Sequence, residues 1–275
     1  MGLVYIIQCY NDCMIRIGPA GIGGVTECAK NLEYYSQIGI KCAEIPFTYQ
    51  VWMTNKQAEG IGKLAKDFDI NLSIHAPYYI NLNSAEKEKI EQSKKRILDC
   101  CERAHYLRAK CVVFHPGFYG KSSKEDTYNV IKENIRELMD FIKDKKWNVK
   151  LAPETMGKIN VFGSLEEIFR LIKETKCFFC IDFAHLKAYT QGTLSYEKMC
   201  EQINDFSEIH AHFSGIEYGM KGERNHILTS EKEIEKLGEA IKKNKIENIT
   251  IINESPNPVS DAQKTINIFK KLKLI

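Results

Sequence analysis

The feature that most constrains this chain is an alternation of short apolar runs with longer amphipathic segments, sustained from about residue 15 to the last residue. The apolar runs are Ile15–Gly18, Cys42–Phe47, Leu72–His75, Cys111–His115, Val149–Glu154, Phe178–Asp182, Glu208–Phe213 and Ile249–Glu254. Their near-continuous Val, Ile, Leu and Phe content is that of parallel strands covered on both faces. Helical periodicity fills the intervals, over Thr26–Ile38, Lys56–Asp67, Glu86–Leu107, Lys124–Lys143, Ser164–Lys173, Ser195–Asn204, Glu231–Lys243 and Asp261–Lys273. Ser164-Leu-Glu-Glu167 is a capping box, and Ser260 or Asp261 is placed to cap the last helix. Strand–helix units of roughly 30–40 residues, repeated in this way, predict an α/β protein with a single (β/α)8 TIM barrel rather than an open doubly wound sheet.

A length of 275 residues suits one such barrel. No Pro/Gly-rich linker or composition break divides the chain, so one barrel domain is expected over residues 14–275, with residues 1–13 an appended arm or a misplaced start. The 27% of charged residues balance to a net charge of only +3. That is no footprint of a histone-like binder, so positive charge facing a polyanion would have to be local or come from metal. No apolar stretch approaches the roughly 18–20 residues of a membrane span, and no secretory leader is evident. A cytoplasmic protein with no membrane partner is expected. The ten cysteines lack framework spacing, and Cys177-Phe-Phe-Cys180 has apolar flanks and no second pair. Buried, inert thiols are the expectation.

Polar residues are concentrated where the strands end. His75, His115, Glu154 and Asp182 close successive strands, and His185 follows three residues after Asp182. His212 lies near the end of the seventh strand, Glu223 and His226 follow in its loop, and Glu254 closes the eighth. In a barrel those strand ends converge on one face, where chemistry is placed. A lone histidine there is usually a hydrogen-bonded rim or core residue, and a lone carboxylate usually caps the next helix. That reading would have to hold independently at every one of these positions. Crowding so many imidazoles and carboxylates together would also cost heavily in desolvation and like-charge repulsion, a cost that divalent cations remove. The donor set suits zinc or manganese, and at about three or four ligands per ion, with one carboxylate bridging, it serves three ions. Such a site is a clamp for phosphoryl oxygens.

The runs Ser-Ile-His75-Ala-Pro-Tyr78-Tyr-Ile-Asn81-Leu, Phe-His115-Pro-Gly, Pro-Glu154-Thr-Met-Gly157, Ile-Asp182-Phe-Ala-His185, His212-Phe-Ser-Gly and Asn-Glu254-Ser-Pro resemble the endonuclease IV family, in the family's order from about Ile15 to the end. The resemblance implies a DNA repair nuclease that cuts 5′ to abasic sites with three zinc ions, leaving a 3′-hydroxyl and a 5′-deoxyribose phosphate. It implies that His75 and His115 hold the first ion and that Glu154, the catalytic centre, bridges to the second. Asp182, His212 and Glu254 would complete the second, and His185, with Glu223 and His226, would hold the third. Family members commonly have Asp-Arg-His where this chain has Glu223-Arg224-Asn225, so their histidine aligns with Asn225. Asparagine is a poor zinc ligand, and the longer Glu could shift the loop, which favours His226. The loop Thr48-Tyr-Gln-Val-Trp52 lacks the arginine that family members insert into DNA.

Tyr78 and Tyr79 follow His75 on a rim loop. They read either as barrel-rim packing or, as the resemblance implies, as an aromatic wedge in the minor groove that helps expel the damaged nucleotide. His210 shares a strand face with His212 and is expected to support the ligands from behind rather than add another. The expected partner is damaged duplex DNA, bound by a monomer. The rival reading is a metal-dependent sugar isomerase or epimerase on the same kind of barrel, which would leave His75, His115, Glu223 and His226 without a role. A non-catalytic protein that recognises damaged DNA is a third.

Overall fold

The computed structural model describes residues 14–275, so the expectation for residues 1–13 lies outside the described residues. In chain order the elements are β1 (Met14–Pro19), α1 (Cys28–Gln37), β2 (Cys42–Pro46), α2 (Asn55–Asp67), β3 (Asn71–His75), α3 (Lys87–Leu107), β4 (Cys111–Phe114), β5 (Gly117–Phe118), α4 (Lys124–Asp144), β6 (Lys150–Pro153), β7 (Val161–Phe162), α5 (Leu165–Thr175), β8 (Cys180–Asp182), α6 (Phe183–Tyr189), α7 (Tyr196–Ile203), β9 (Ile209–Phe213), β10 (Gly215–Gly219), β11 (Gly222–Ile227), α8 (Glu231–Lys243), β12 (Asn248–Asn253) and α9 (Pro258–Lys271).

Eight parallel strands form two four-stranded sheets, ordered β1-β12-β9-β8 and β2-β3-β4-β6. Single parallel bridges join the two sheets at both seams, Ala20 to Glu44 and Glu154 to Cys180, so the strands make one TIM barrel. At the first seam β1 runs so close to β2 that a Cβ on Gly18 would lie 1.6 Å from the Cys42 carbonyl oxygen. Only glycine fits there.

The strands are two-faced. Ile15, Ile17, Ile45, Leu72, Ile74, Phe114, Ile181, Phe213 and Ile249 belong to the large core between strands and helices. The alternate positions point inward, where Cys111, Val113, Ala152 and Cys180 form a small separate cluster and Glu44, Ser73, His75, Asp182, His210 and His212 are buried. Apart from Val113 and Ile252 the lining is small or polar, unlike the branched aliphatic layers that fill many barrels. The eight described cysteines are free and buried, and burial pushes the thiol of Cys177 up to about 11. Among the described residues no helix is long and apolar enough to cross a membrane.

Local chemistry sets the helix starts. The Ser164–Glu167 capping box is present at α5, and Ser123, Ser195 and Ser230 cap α4, α7 and α8. Each such cap contributes about 1 kcal/mol. The last helix departs from expectation. It begins earlier, with Pro258 in its first turn and Asn257 at the cap position making no side-chain bond, and neither Ser260 nor Asp261 caps it. Asp261 is instead buried and accepts hydrogen bonds from Thr229 N (2.7 Å) and Lys264 Nζ (2.7 Å), which ties α9 to the segment before α8.

Candidate metal centre

Every position expected at the strand ends lies at the carboxyl end of the barrel, and the side chains converge around Glu154. This residue is 0% exposed, at the seam where β6 meets β8. Its Oε2 lies 3.3 Å from His75 Nε2 and 3.0 Å from His115 Nε2. Its Oε1 lies 3.1 Å from His212 Nδ1 and 3.3 Å from His185 Nδ1. One carboxylate thus faces a pair of imidazoles with each oxygen. Three overlapping sets of ligand atoms contain its carboxylate or that of Asp182, each mutually within 4.8 Å: His75, His115 and Glu154; Glu154, Asp182, His212 and Glu254; and Asp182, His185 and His226; a fourth, Cys180, His210 and His212, shares His212 alone.

Asp182 serves two functions. It caps α6, which starts directly after β8, its Oδ1 accepting from His185 N at 2.7 Å. Its Oδ2 is buried without a hydrogen-bond partner and lies 3.4 Å from His185 Nδ1. One oxygen of this aspartate is taken up by the helix cap, and the other has no hydrogen-bond partner.

Glu223 and His226 are not in a loop, as expected, but on β11 of a two-stranded hairpin. Tyr218 pairs with Glu223 and Glu217 with Asn225, so Arg224 is an extra residue, a β-bulge. In an unbroken strand Glu223 would share a face with Asn225. The bulge hands that face to His226, whose Nε2 lies 3.4 Å from His185 Nε2 and 3.9 Å from Glu223 Oε1, while Asn225 is exposed. Glu223 Oε2 is 3.4 Å from His185 Nε2. The hairpin sits directly on the loop after β6, where a Cβ on Gly157 would come within 2.7 Å of Glu223 Cβ and 3.0 Å of His185 Cδ2.

Three of the histidines, His75, His185 and His226, are held in matching orientations. His75 Nδ1 lies 2.8 Å from the Ala76 carbonyl oxygen and His185 Nδ1 lies 2.9 Å from that of Thr155. His226 Nδ1 lies 2.8 Å from Ser214 Oγ, whose own proton goes to Gly215 O. In each ring Nδ1–H is the donor and the Nε2 lone pair faces the cluster. Lone pairs aimed at carboxylates and at one another need a proton or a cation between them. Burial disfavours a charged His75, but its bond to Glu154 and the charges of Glu154, Glu44 and Glu254 raise it to about 9. Burial likewise penalises ionised Glu154, yet His212 and His115 hold it well below the usual carboxylate range. For Asp182 burial wins and its pKa is raised. An unpartnered buried carboxylate oxygen, aligned imidazole lone pairs and a shared glutamate together fit divalent ions better than protons.

Tyr78 and Tyr79 are each 59% exposed on the rim, and the Tyr78 ring lies 6.1 Å from the rings of both His75 and His115. Tyr49, 70% exposed, lies 6.3 Å from Tyr79, so the loop after β2 adds a third aromatic to this edge. His210 touches none of the cluster carboxylates; its Nε2 lies 3.1 Å from Oε2 of Glu44. Sequence reading missed Glu44, a carboxylate inside an otherwise apolar strand run. That placement was itself the available signal.

Residues 32–272 match the family described as xylose isomerase-like TIM barrel. An uncharacterized protein of Methanocaldococcus jannaschii is 36% identical over 80% of this chain and 84% of its own length. An apurinic-apyrimidinic endonuclease of Caenorhabditis elegans is 31% identical over 66% of this chain, which spans about half of it, 49%. A probable endonuclease 4 of Mycoplasmopsis pulmonis is 28% identical, over 76% of this chain and 77% of its own length. Among solved structures, endonuclease IV from Thermus thermophilus superposes with a TM-score of 0.70 at 18% identity, over 94% of this chain and all of that one, 100%. D-psicose 3-epimerase from Clostridium cellulolyticum does so at 0.64 and 13%, over 88% and 92%. The chain belongs to the xylose isomerase-like TIM barrel family, and its relatives in that family include proteins named endonuclease 4.

Proposed function

We propose that this protein is a metal-dependent DNA repair endonuclease that hydrolyses the phosphodiester 5′ to abasic sites. The observation that carries the reading is the placement of Glu154 between two pairs of histidines, with three ligand sets sharing its carboxylate and that of Asp182. His75, His115 and Glu154 would hold one ion, Glu154, Asp182, His212 and Glu254 a second, and His185 and His226, with Glu223 beside them, a third. Zinc suits this all-imidazole and carboxylate set. Bound ions of this kind activate water, neutralise phosphoryl oxygens and stabilise a leaving oxygen.

The chain's own residues supply the rest. Burial of Glu154, Asp182, His185 and His212 fixes the ligand directions before substrate arrives. Tyr78, Tyr79 and Tyr49 form an exposed aromatic edge beside His75 and His115 that suits stacking against an unpaired nucleotide, and an abasic nucleotide is the cheapest to displace from a duplex. The sugar-epimerase reading is supported by fold likeness, and the second ligand set alone would serve it. It leaves His75, His115, His226 and the aromatic edge unused.

Incubating the protein with a duplex carrying one abasic site, with and without chelator, tests the proposal. Cleavage immediately 5′ to the lesion, lost on chelation and restored by zinc alone, is expected, with elemental analysis giving about three zinc per chain. Intact strands at stoichiometric, metal-replete protein would refute it. One manganese per chain with ketose epimerisation would establish the rival.

A further inference from the structure

Glu44 lies in the middle of β2, fully buried, on the inward face of the barrel and on the N-terminal side of the metal cluster. A carboxylate there needs partners, and each of its oxygens has a distinct set. Ser73 Oγ donates to Oε2 at 2.7 Å, and His210 Nε2 lies 3.1 Å from the same oxygen. Those two groups leave Oε1 facing His212 Nε2 at 2.9 Å. In this structure the two atoms are not aligned for a hydrogen bond, and both are buried without one. Glu44 Oε1 is the carboxylate oxygen that faces His212 Nε2, with Cys180 Sγ the other polar atom grouped with His212 on that side.

His212 is also turned the opposite way from its neighbours. His75, His185 and His226 tie down Nδ1 and present Nε2 to the cluster. His212 presents Nδ1, which lies 3.1 Å from Glu154 and 3.4 Å from Glu254, and points Nε2 back into the barrel. The other three rings each find an oxygen behind them on a backbone carbonyl or a serine. Behind His212 that oxygen belongs to Glu44.

Given the metal centre proposed above, we infer that Glu44 is a positioning residue that fixes His212 as the Nε2–H tautomer, so that its Nδ1 lone pair meets the ion shared with Glu154, Asp182 and Glu254. His210 and Ser73 hold Glu44 in place and do not bind metal. A carboxylate behind a ligating imidazole fixes the ring's tautomer and orientation and raises its basicity, and losing such a partner weakens metal binding by about 10–100-fold.

Zinc titration of the metal-free protein against a chromophoric chelator tests this, comparing wild type with Glu44→Gln. The expected result is one zinc equivalent weakened by about 10–100-fold with the others unchanged. A folded Glu44→Gln variant with wild-type affinity at every equivalent overturns the inference while leaving the metal centre standing. Wild-type protein that takes up no zinc overturns the metal centre, and this inference with it. A second measurement needs no variant: nitrogen NMR of zinc-loaded wild type should show His212 protonated at Nε2 and not at Nδ1. Metal on Nε2, or a proton on Nδ1, overturns it.

Discussion

At the residue scale, Glu154 is the side chain on which the site depends most. Glu154→Gln keeps the volume but removes the charge that faces His75, His115, His185 and His212. Abasic-site cleavage should fall by about 10³-fold or more, equivalent to several kcal/mol of transition-state stabilisation, while circular dichroism stays native. Undiminished cutting would remove Glu154 from its bridging place. The bulge at Arg224 yields a paired prediction. His226→Ala should lose one zinc equivalent by elemental analysis, whereas Asn225→Ala, at an exposed position, should retain all of them. The reverse outcome would place the third ion on Asn225. Most of the clustered side chains were legible in the sequence because each stands where an apolar run stops. Glu44 and Tyr49 were not. The first lies within a strand run rather than at its end, and its one signal was a charge among apolar residues. The second sits in a loop that was read for what it lacks.

At the scale of elements, the eight strands and their following helices were readable from periodicity, since parallel strands and amphipathic helices differ in both length and pattern. The short β5–β7 pair was not, and neither were three other features. Helix α6 begins at Phe183 with Asp182 itself as its cap, leaving no polar loop to announce it. The β10–β11 hairpin is short, and its bulge spoils the two-residue alternation that would have revealed it. The start of α9 is set by Pro258 rather than by the side chains after it. Glu233, in the first turn of α8, links three helices: it accepts from Tyr196 on α7 at 3.0 Å and from Lys236 on α8 at 3.0 Å, and pairs with Lys187 on α6. Burial raises its pKa, but the bonds from Lys187 and Lys236 outweigh that and hold it at about 2, below the ordinary 4.5. A carboxylate depressed in the folded state stabilises above its unfolded pKa and stops doing so as pH falls through the folded one. Glu233→Gln should therefore lower the melting temperature at pH 7. That deficit should shrink between pH 4.5 and 2 and vanish below it. A deficit that stays constant across the window would rule out the ionic contribution.

At the scale of the whole molecule, the barrel is two four-stranded sheets joined by a single bridge at each seam. Hydrogen exchange should find the amides that bond across the seams, Gly21 N to Glu44 O and Thr155 N to Cys180 O, opening more readily than those in the middle of either sheet, because fewer ladder bonds surround them. Uniform protection around the ring would contradict that. The net charge of +3, uninformative about partners when taken alone, would take on a different weight with the proposed ions at the carboxyl face. The division of each strand into an outward apolar face and an inward small or polar one has a further consequence. Outward side chains hold the barrel against its helices and tolerate little change, since each large one buried contributes about 1.5–3 kcal/mol. Inward side chains touch mainly one another. They take no part in the packing of strands on helices, so exchanges that keep the buried polar groups partnered leave that packing in place, and barrels of this shape can diverge in chemistry faster than in architecture.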